Sequence, residues 1–178
     1  MLPIIPEPTG AEPAIEALLD QSFGPDRHLK TVYKLREGVD PIASLSFCVY
    51  EGTKLLGSIR YWPIEIGGQW PGVMLGPVAV DPDRRGEGIG KALIRHSLWA
   101  ATRLGHRICM LVGDRPYYEP FGFHSALDHG LELPGWVDPD RFLVMELAPG
   151  ALDGVSGMIG QPSKTSAPAA RGKATRAA

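Results

Sequence analysis

Two apolar rhythms divide the chain. At helical spacing, residues 11–23 carry Ile15, Leu18 and Leu19 on one face, and a second helical stretch is expected over 26–35. Residues 44–50 and 54–62 read instead as strands, joined by the short connection Glu51-Gly52-Thr53, so a hairpin follows two helices. Residues 73–80 form another apolar strand, interrupted by Gly76-Pro77. The strongest helix covers 88–104, with Ile89, Leu93, Ser97, Ala100 and Leu104 expected along one face. A short apolar strand over 107–112 follows, and the helix between it and the preceding strand makes a parallel pair the expectation. A short helix over 116–121 and a last strand over 142–147 complete the pattern.

Beyond Gly150 the pattern stops. Gly, Ala, Ser and Pro dominate together with Lys164, Arg171, Lys173 and Arg176, and no large apolar residue follows Met158 and Ile159. Such a segment buries too little surface to offset the entropy of ordering it. The expected organisation is one folded domain over 1–150 and a flexible tail over 151–178, the tail being a solvated terminus rather than a nucleic-acid or membrane contact. The chain's 178 residues suit a single core. Its 18 Lys and Arg against 20 Asp and Glu give a net charge of -2, and the tail holds four of the cations but only Asp153 among the acids. The first 150 residues are therefore acidic, which argues against a partner held by a broad basic field. No apolar run reaches the roughly 18 residues of a membrane span. The amino end lacks a basic flank followed by a long apolar stretch, so a cytoplasmic protein is expected. Cys48 and Cys109 each sit alone in an apolar run and read as buried, reduced thiols, with no metal-ligand spacing around them.

The chemistry concentrates between Leu75 and Leu93. There a strand leaves through Asp81-Pro82, passes Arg84-Arg85-Gly86-Glu87-Gly88-Ile89-Gly90-Lys91, and enters the long helix. Backbone N–H groups and the positive helix end then converge on one concavity, with Arg84, Arg85 and Lys91 at its mouth, so a phosphate or pyrophosphate is the expected ligand. A Walker A loop would need Gly where Arg85 stands and Ser or Thr where Ala92 stands; a dinucleotide fingerprint would need Gly in place of Lys91. Both fail on spacing.

The pattern Arg85-x-x-Gly88-x-Gly90 resembles the pyrophosphate loop of the GNAT superfamily of N-acetyltransferases. The preceding strand with its Asp-Pro exit, the strand over 108–112 and Tyr118-Glu119-Pro120-Phe121-Gly122-Phe123 resemble the family in the family's order, covering roughly residues 44–147. The resemblance implies an α+β fold, a mixed central sheet flanked by helices, with acetyl-coenzyme A as co-substrate and no metal. It implies that the strand bends at Gly76-Pro77, leaving main-chain groups of Val78, Ala79 and Val80 for the pantetheine arm. Arg85, Gly86, Gly88, Ile89, Gly90 and Lys91 would then hold the pyrophosphate, and Tyr118 would be the general acid, with Tyr117 pointing elsewhere. The implied reaction is direct acetylation of a primary amine on a small molecule or peptide, without a covalent enzyme intermediate. Alternatives are a non-catalytic acyl-coenzyme A sensor, or an enzyme with a longer acyl donor or a protein or RNA acceptor.

The general base stays open between Glu65, more readily a solvated strand residue, and ordered water. His96, His124 and His129 lack a partner pattern. Trp62, Trp70, Trp136 and Phe142 are candidates for an acceptor pocket, although aromatics at such positions commonly belong to the core. No specific nucleic-acid or membrane partner is expected, and monomer and homodimer both remain open.

Overall fold

The structure, a computed structural model, describes residues 2–163. Strand β1 (Ile4–Pro6) precedes helix α1 (Glu12–Phe23), which buries the expected Ile15, Leu18 and Leu19 and ends at Gly24. The second helical stretch is split, a 3-10 turn over Pro25–Leu29 followed by the single-turn helix α2 (Thr31–Lys34). Strands β2 (Phe47–Glu51), β3 (Lys54–Ile66) and β4 (Trp70–Val80) form an antiparallel meander in which β3 and β4 are longer, and β2 shorter, than the alternation suggested. Helix α3 (Ile89–Arg103) crosses to β5 (Ile108–Val112), which lies parallel to β4 as expected. The helix α4 (Arg115–Tyr118), the two-residue strands β6 (His124–Ser125) and β7 (Leu131–Glu132), then β8 (Phe142–Glu146) and β9 (Gly157–Gly160) complete the chain. The sheet order is β1-β2-β3-β4-β5-β8-β6, with β9 bridging β3 and β7.

Alternation along the strands sorts the core. Phe47, Val49, Leu56 and Tyr61 turn towards α3, whereas Cys48, Leu55 and Ala79 turn towards α1. The face of α3 is rolled from the expected one: Leu93, Ile94, Ser97, Leu98 and Ala101 are buried, while Leu104 is 54% exposed. A helix lying flat on a sheet buries a stripe two residues wide at each turn, and a single i, i+4 line does not trace it. Tyr61 and Ser97 hydrogen-bond across this interface at 2.9 Å.

Beside its apolar contact with the sheet, α1 is also held by ion pairs. Arg60 of β3, 3% exposed, bonds Glu7 at 2.6 and 2.8 Å and also meets Glu12, and Arg27 pairs with Glu16 and, at 3.2 Å, with Asp20. The Arg60 pairs hold the amino end of the helix, and the Arg27 pairs hold the half that leads to Ser22 and Phe23.

The expected boundary at residue 150 falls inside packed chain. Ala151, Leu152, Val155 and Ile159 are buried in a cluster with Ile64, Ile66, Met110 and Val144, and β9 pairs Ile159 with Ile66. The few apolar residues of this segment suffice because β2 stops short and leaves the end of β3 with a free edge. Phe142–Glu146 is accordingly not the last strand. The remainder of the expected tail, residues 164–178, lies outside the described residues. No helix among the described residues is long and apolar enough to cross a membrane.

Candidate functional site

Opposite the single residue Arg60, strand β4 carries both Gly76 and Pro77, joined by a cis peptide bond, so the register slips from Ile59↔Val78 to Tyr61↔Leu75. That is the bend anticipated at this dipeptide. On the other side, β4 pairs with β5 only at Val73↔Cys109 and Met74↔Met110, although both strands run on. Beyond those pairs the two parallel strands part, and the outer half of β4 faces a gap.

The loop after β4 is organised by Asp81, whose Oδ1 accepts the Asp83 N–H at 3.0 Å and whose Oδ2 meets Lys54 Nζ at 2.6 Å. Arg84 is spent on Glu87 at 2.7 Å and Glu51 at 2.8 Å, so it adds no free charge. Arg85 and Lys91 have no carboxylate partner among the described residues. Gly88 caps α3 with φ of 84°, a left-handed conformation that favours glycine, and no side chain caps the first turn. The N–H groups that open α3 are therefore left to a ligand.

One cavity of ≈ 430 Å³ gathers Val78, Ala79, Val80, Arg85, Gly86, Gly88, Ile89, Gly90 and Lys91, together with Tyr118. Ser22 and Phe23, which no motif marked, close it from the end of α1. The Ser22 hydroxyl is buried and has no partner among the described residues. Tyr117 also lines the cavity rather than pointing away; a Cβ built on Gly90 would stand 2.9 Å from its hydroxyl.

A second cavity, of ≈ 670 Å³, lies on the other side of the bend and shares Phe23, Val78, Tyr117 and Tyr118 with the first. Tyr118 thus stands where the two meet. Its ring lies edge-on to Tyr117 and Phe123, with centroids 5.0 and 6.0 Å away, and presses on Gly113, where a Cβ would come 2.3 Å from Cε2. Burial raises its phenol well above the ordinary range, so the hydroxyl keeps its proton.

The other candidates disperse. Glu65 is buried at 7% exposure and accepts from Ser163 Oγ at 3.0 Å, which corrects its reading as a solvated residue. It faces Pro71, six residues along β3 from the level of Val78, roughly 20 Å at strand rise, and lines neither cavity. His124 and His129 approach each other at 3.1 Å, and His96 rests edge-on to Phe47; none lines either cavity. Of the four aromatics only Trp136, 85% exposed, lines the second cavity, while Trp70 and Phe142 pack into the core and Trp62 lies under Arg36. Both cysteines are free and buried, and burial raises their thiols, Cys48 to about 11. Among the described residues no group of three His, Cys, Asp or Glu gathers to hold a metal.

Comparison with known proteins bears on this geometry. A family model for the acetyltransferase (GNAT) domain matches residues 43–125. The uncharacterized N-acetyltransferase YhbS of Escherichia coli K12 is 33% identical over 150 residues, covering 83% of this chain and 88% of that protein. The crystal structure of YhbS from Escherichia coli in complex with CoA superposes with a TM-score of 0.77 at 30% identity, covering 90% of this chain and 89% of that one. A GNAT family acetyltransferase from Brucella melitensis, in complex with acetyl-CoA, gives a TM-score of 0.65 at 29% identity, covering 90% and 95%.

Proposed function

Because the chain belongs to the GNAT family of N-acetyltransferases, we propose that it moves the acetyl group of acetyl-CoA directly onto a primary amine, with Tyr118 as the general acid. The observation that carries this reading is the parting of β4 from β5 beyond Met74 and Met110, which opens a gap beside Val78, Ala79 and Val80 with Tyr118 at its end. The fit is good: extended backbone takes the amides of a pantetheine arm as it would a missing strand. The buried Ser22 hydroxyl adds an unpartnered polar atom. The first turn of α3, with Arg85 and Lys91 unpaired, suits a pyrophosphate.

Bound there, acetyl-CoA supplies an activated thioester. Pro77 lacks an N–H, so the donor for a developing oxyanion falls to the strand after it, from Val78 onwards. As the acceptor nitrogen bonds the carbonyl carbon and the C–S bond breaks, the Tyr118 hydroxyl passes its proton to sulfur. The surplus proton of the nitrogen leaves through water and restores the phenol, so one N–H is exchanged for an N-acetyl bond and one thiol is released. The raised phenol pKa opposes donation to a thiolate in bulk water, but the same burial raises the basicity of a thiolate formed beside it. With Glu65 outside both cavities, water remains as the base. The buried thiols of Cys48 and Cys109 are poor nucleophiles, which supports direct transfer over an acyl-enzyme. The place of action is the cytoplasm.

Calorimetric titration with acetyl-CoA, followed by CoA release over a panel of amines, tests the proposal. Binding with amine-dependent release is expected. Binding with no release across the panel would make the protein a sensor.

A further inference from the structure

The second cavity contains a cation that the chemistry so far does not use. Arg36, just past α2, stands beside the bend in β4, and a Cβ on Gly76 would lie 3.6 Å from its Nη2. Its Cζ is 4.6 Å from the centroid of the Tyr33 ring and 5.6 Å from that of Trp62, so two aromatic rings hold the guanidinium in place. Nε and Nη1 are buried and have no hydrogen-bond partner among the described residues, and the same is true of Trp62 Nε1. A buried cation with two unmet donors is rare in a folded protein. Burial lowers its pKa to about 10, which leaves it charged at neutral pH.

The surrounding charge has the same sign. Arg27, Lys30 and Arg141 line the cavity with Arg36, against the two carboxylates Asp114 and Asp138. Arg27 is engaged by Glu16 and Asp20, and Asp138 Oδ1 is engaged by the Asp140 N–H at 3.1 Å. Arg36 alone combines a buried guanidinium, no carboxylate partner among the described residues and a position at the bend, in the cavity that also holds Val78 and Tyr118.

We propose that the amine acceptor carries an anionic oxygen group, a carboxylate or a phosphate, that Arg36 holds beside the bend while the amine reaches Tyr118. The inference rests on the acetyl-transfer reading and deepens it by naming the class of acceptor. A charge-assisted hydrogen bond to buried donors discriminates strongly, because a neutral analogue leaves the donors unmet.

The test compares the wild-type chain with Arg36→Met and Arg36→Lys, using CoA release from acetyl-CoA. Three sets of acceptors are matched in chain length: amino carboxylates, aminoalkyl phosphates, and neutral alkylamines with amino amides. At least one anionic acceptor should exceed its neutral match by about 10- to 100-fold in kcat/KM. That ratio should fall towards one in Arg36→Met and recover in part in Arg36→Lys. The carboxylate and phosphate arms identify the anion. A second readout needs no turnover: the favoured anion should raise the melting temperature of the wild-type chain and leave that of Arg36→Met unmoved. Calorimetry with acetyl-CoA on each variant reports whether the fold and the first cavity persist. Equal use of neutral and anionic amines by the wild type, or an unchanged ratio in Arg36→Met, overturns the inference while acetyl transfer stands. So does a panel in which no anion is turned over or shifts the melt. Failure of acetyl-CoA to bind the wild type overturns the acetyl-transfer reading itself.

Discussion

Replacing Tyr118 by Phe removes one hydroxyl and keeps the ring that Gly113 and Phe123 hold. Turnover should fall roughly 10- to 1,000-fold with little change in acetyl-CoA affinity, within or near the range for losing a general acid. Because burial raises the phenol, its ionisation should set an alkaline limb of the rate profile above pH 10, and that limb should vanish in the variant. Wild-type turnover in Tyr118→Phe would leave Tyr117, whose hydroxyl lies by Gly90, or water as the proton source. Gly113→Ala should cost a comparable share of kcat, since its Cβ would displace the Tyr118 ring; rates beside thermal melts separate lost positioning from lost fold. The tyrosine was legible in the sequence because it belongs to a local motif. Ser22 and Arg36 were not, because each reaches its cavity only through the packing of distant segments; Gly113 is near Tyr118 in the chain, but only the fold shows that its missing Cβ leaves room for the ring. The distance of Glu65 from both cavities was equally hidden, since only the strand register shows which end of β3 it occupies.

At the scale of elements, α1 is held by carboxylates around a buried arginine, and that makes its seat sensitive to acid. The bond from Arg60 holds the Glu12 carboxyl below its usual value, so its contribution is present above about pH 4.5 and is lost as pH falls through the depressed folded value. Hydrogen exchange should show α1 loosening in that window before the sheet does. Acetyl-CoA affinity should decline with it, because Ser22 and Phe23 end this helix. The segment after Gly150 is the second such case. Ile159→Ala should cost about 2–5 kcal/mol, and removal of residues 151–178 should lower the melting temperature further. A midpoint unchanged by truncation would show that β9 contributes nothing. Composition concealed this strand, since four well-placed apolar side chains among Gly and Ser suffice when a neighbour leaves an edge open. The roll of α3 was concealed for a related reason: helical period predicts that a face exists, while the sheet beneath decides which residues form it.

For the molecule as a whole, the order of strand, loop, helix and strand around the first cavity was readable because those elements follow one another in the chain. The second cavity draws on the turns around α2, the bend in β4 and the loops after β5 and before β8, and sequence order gives no hint that they meet. Acetyl-CoA at a hundredfold excess over Kd should stabilise the fold by about 2.7 kcal/mol, read as a higher melting temperature. An unmoved midpoint at millimolar concentration would place the site elsewhere. The parted strands have a mechanical consequence as well. Across its middle the sheet is stitched, among the described residues, by two residue pairs between β4 and β5, while β9 straps β7 to the end of β3. Such a seam is a flexure, and the strands β5, β8 and β6 should exchange their amide hydrogens as one opening unit, distinct from β1 to β4. A ligand lying in the seam acts as a splint, so exchange in both units should slow together when it binds.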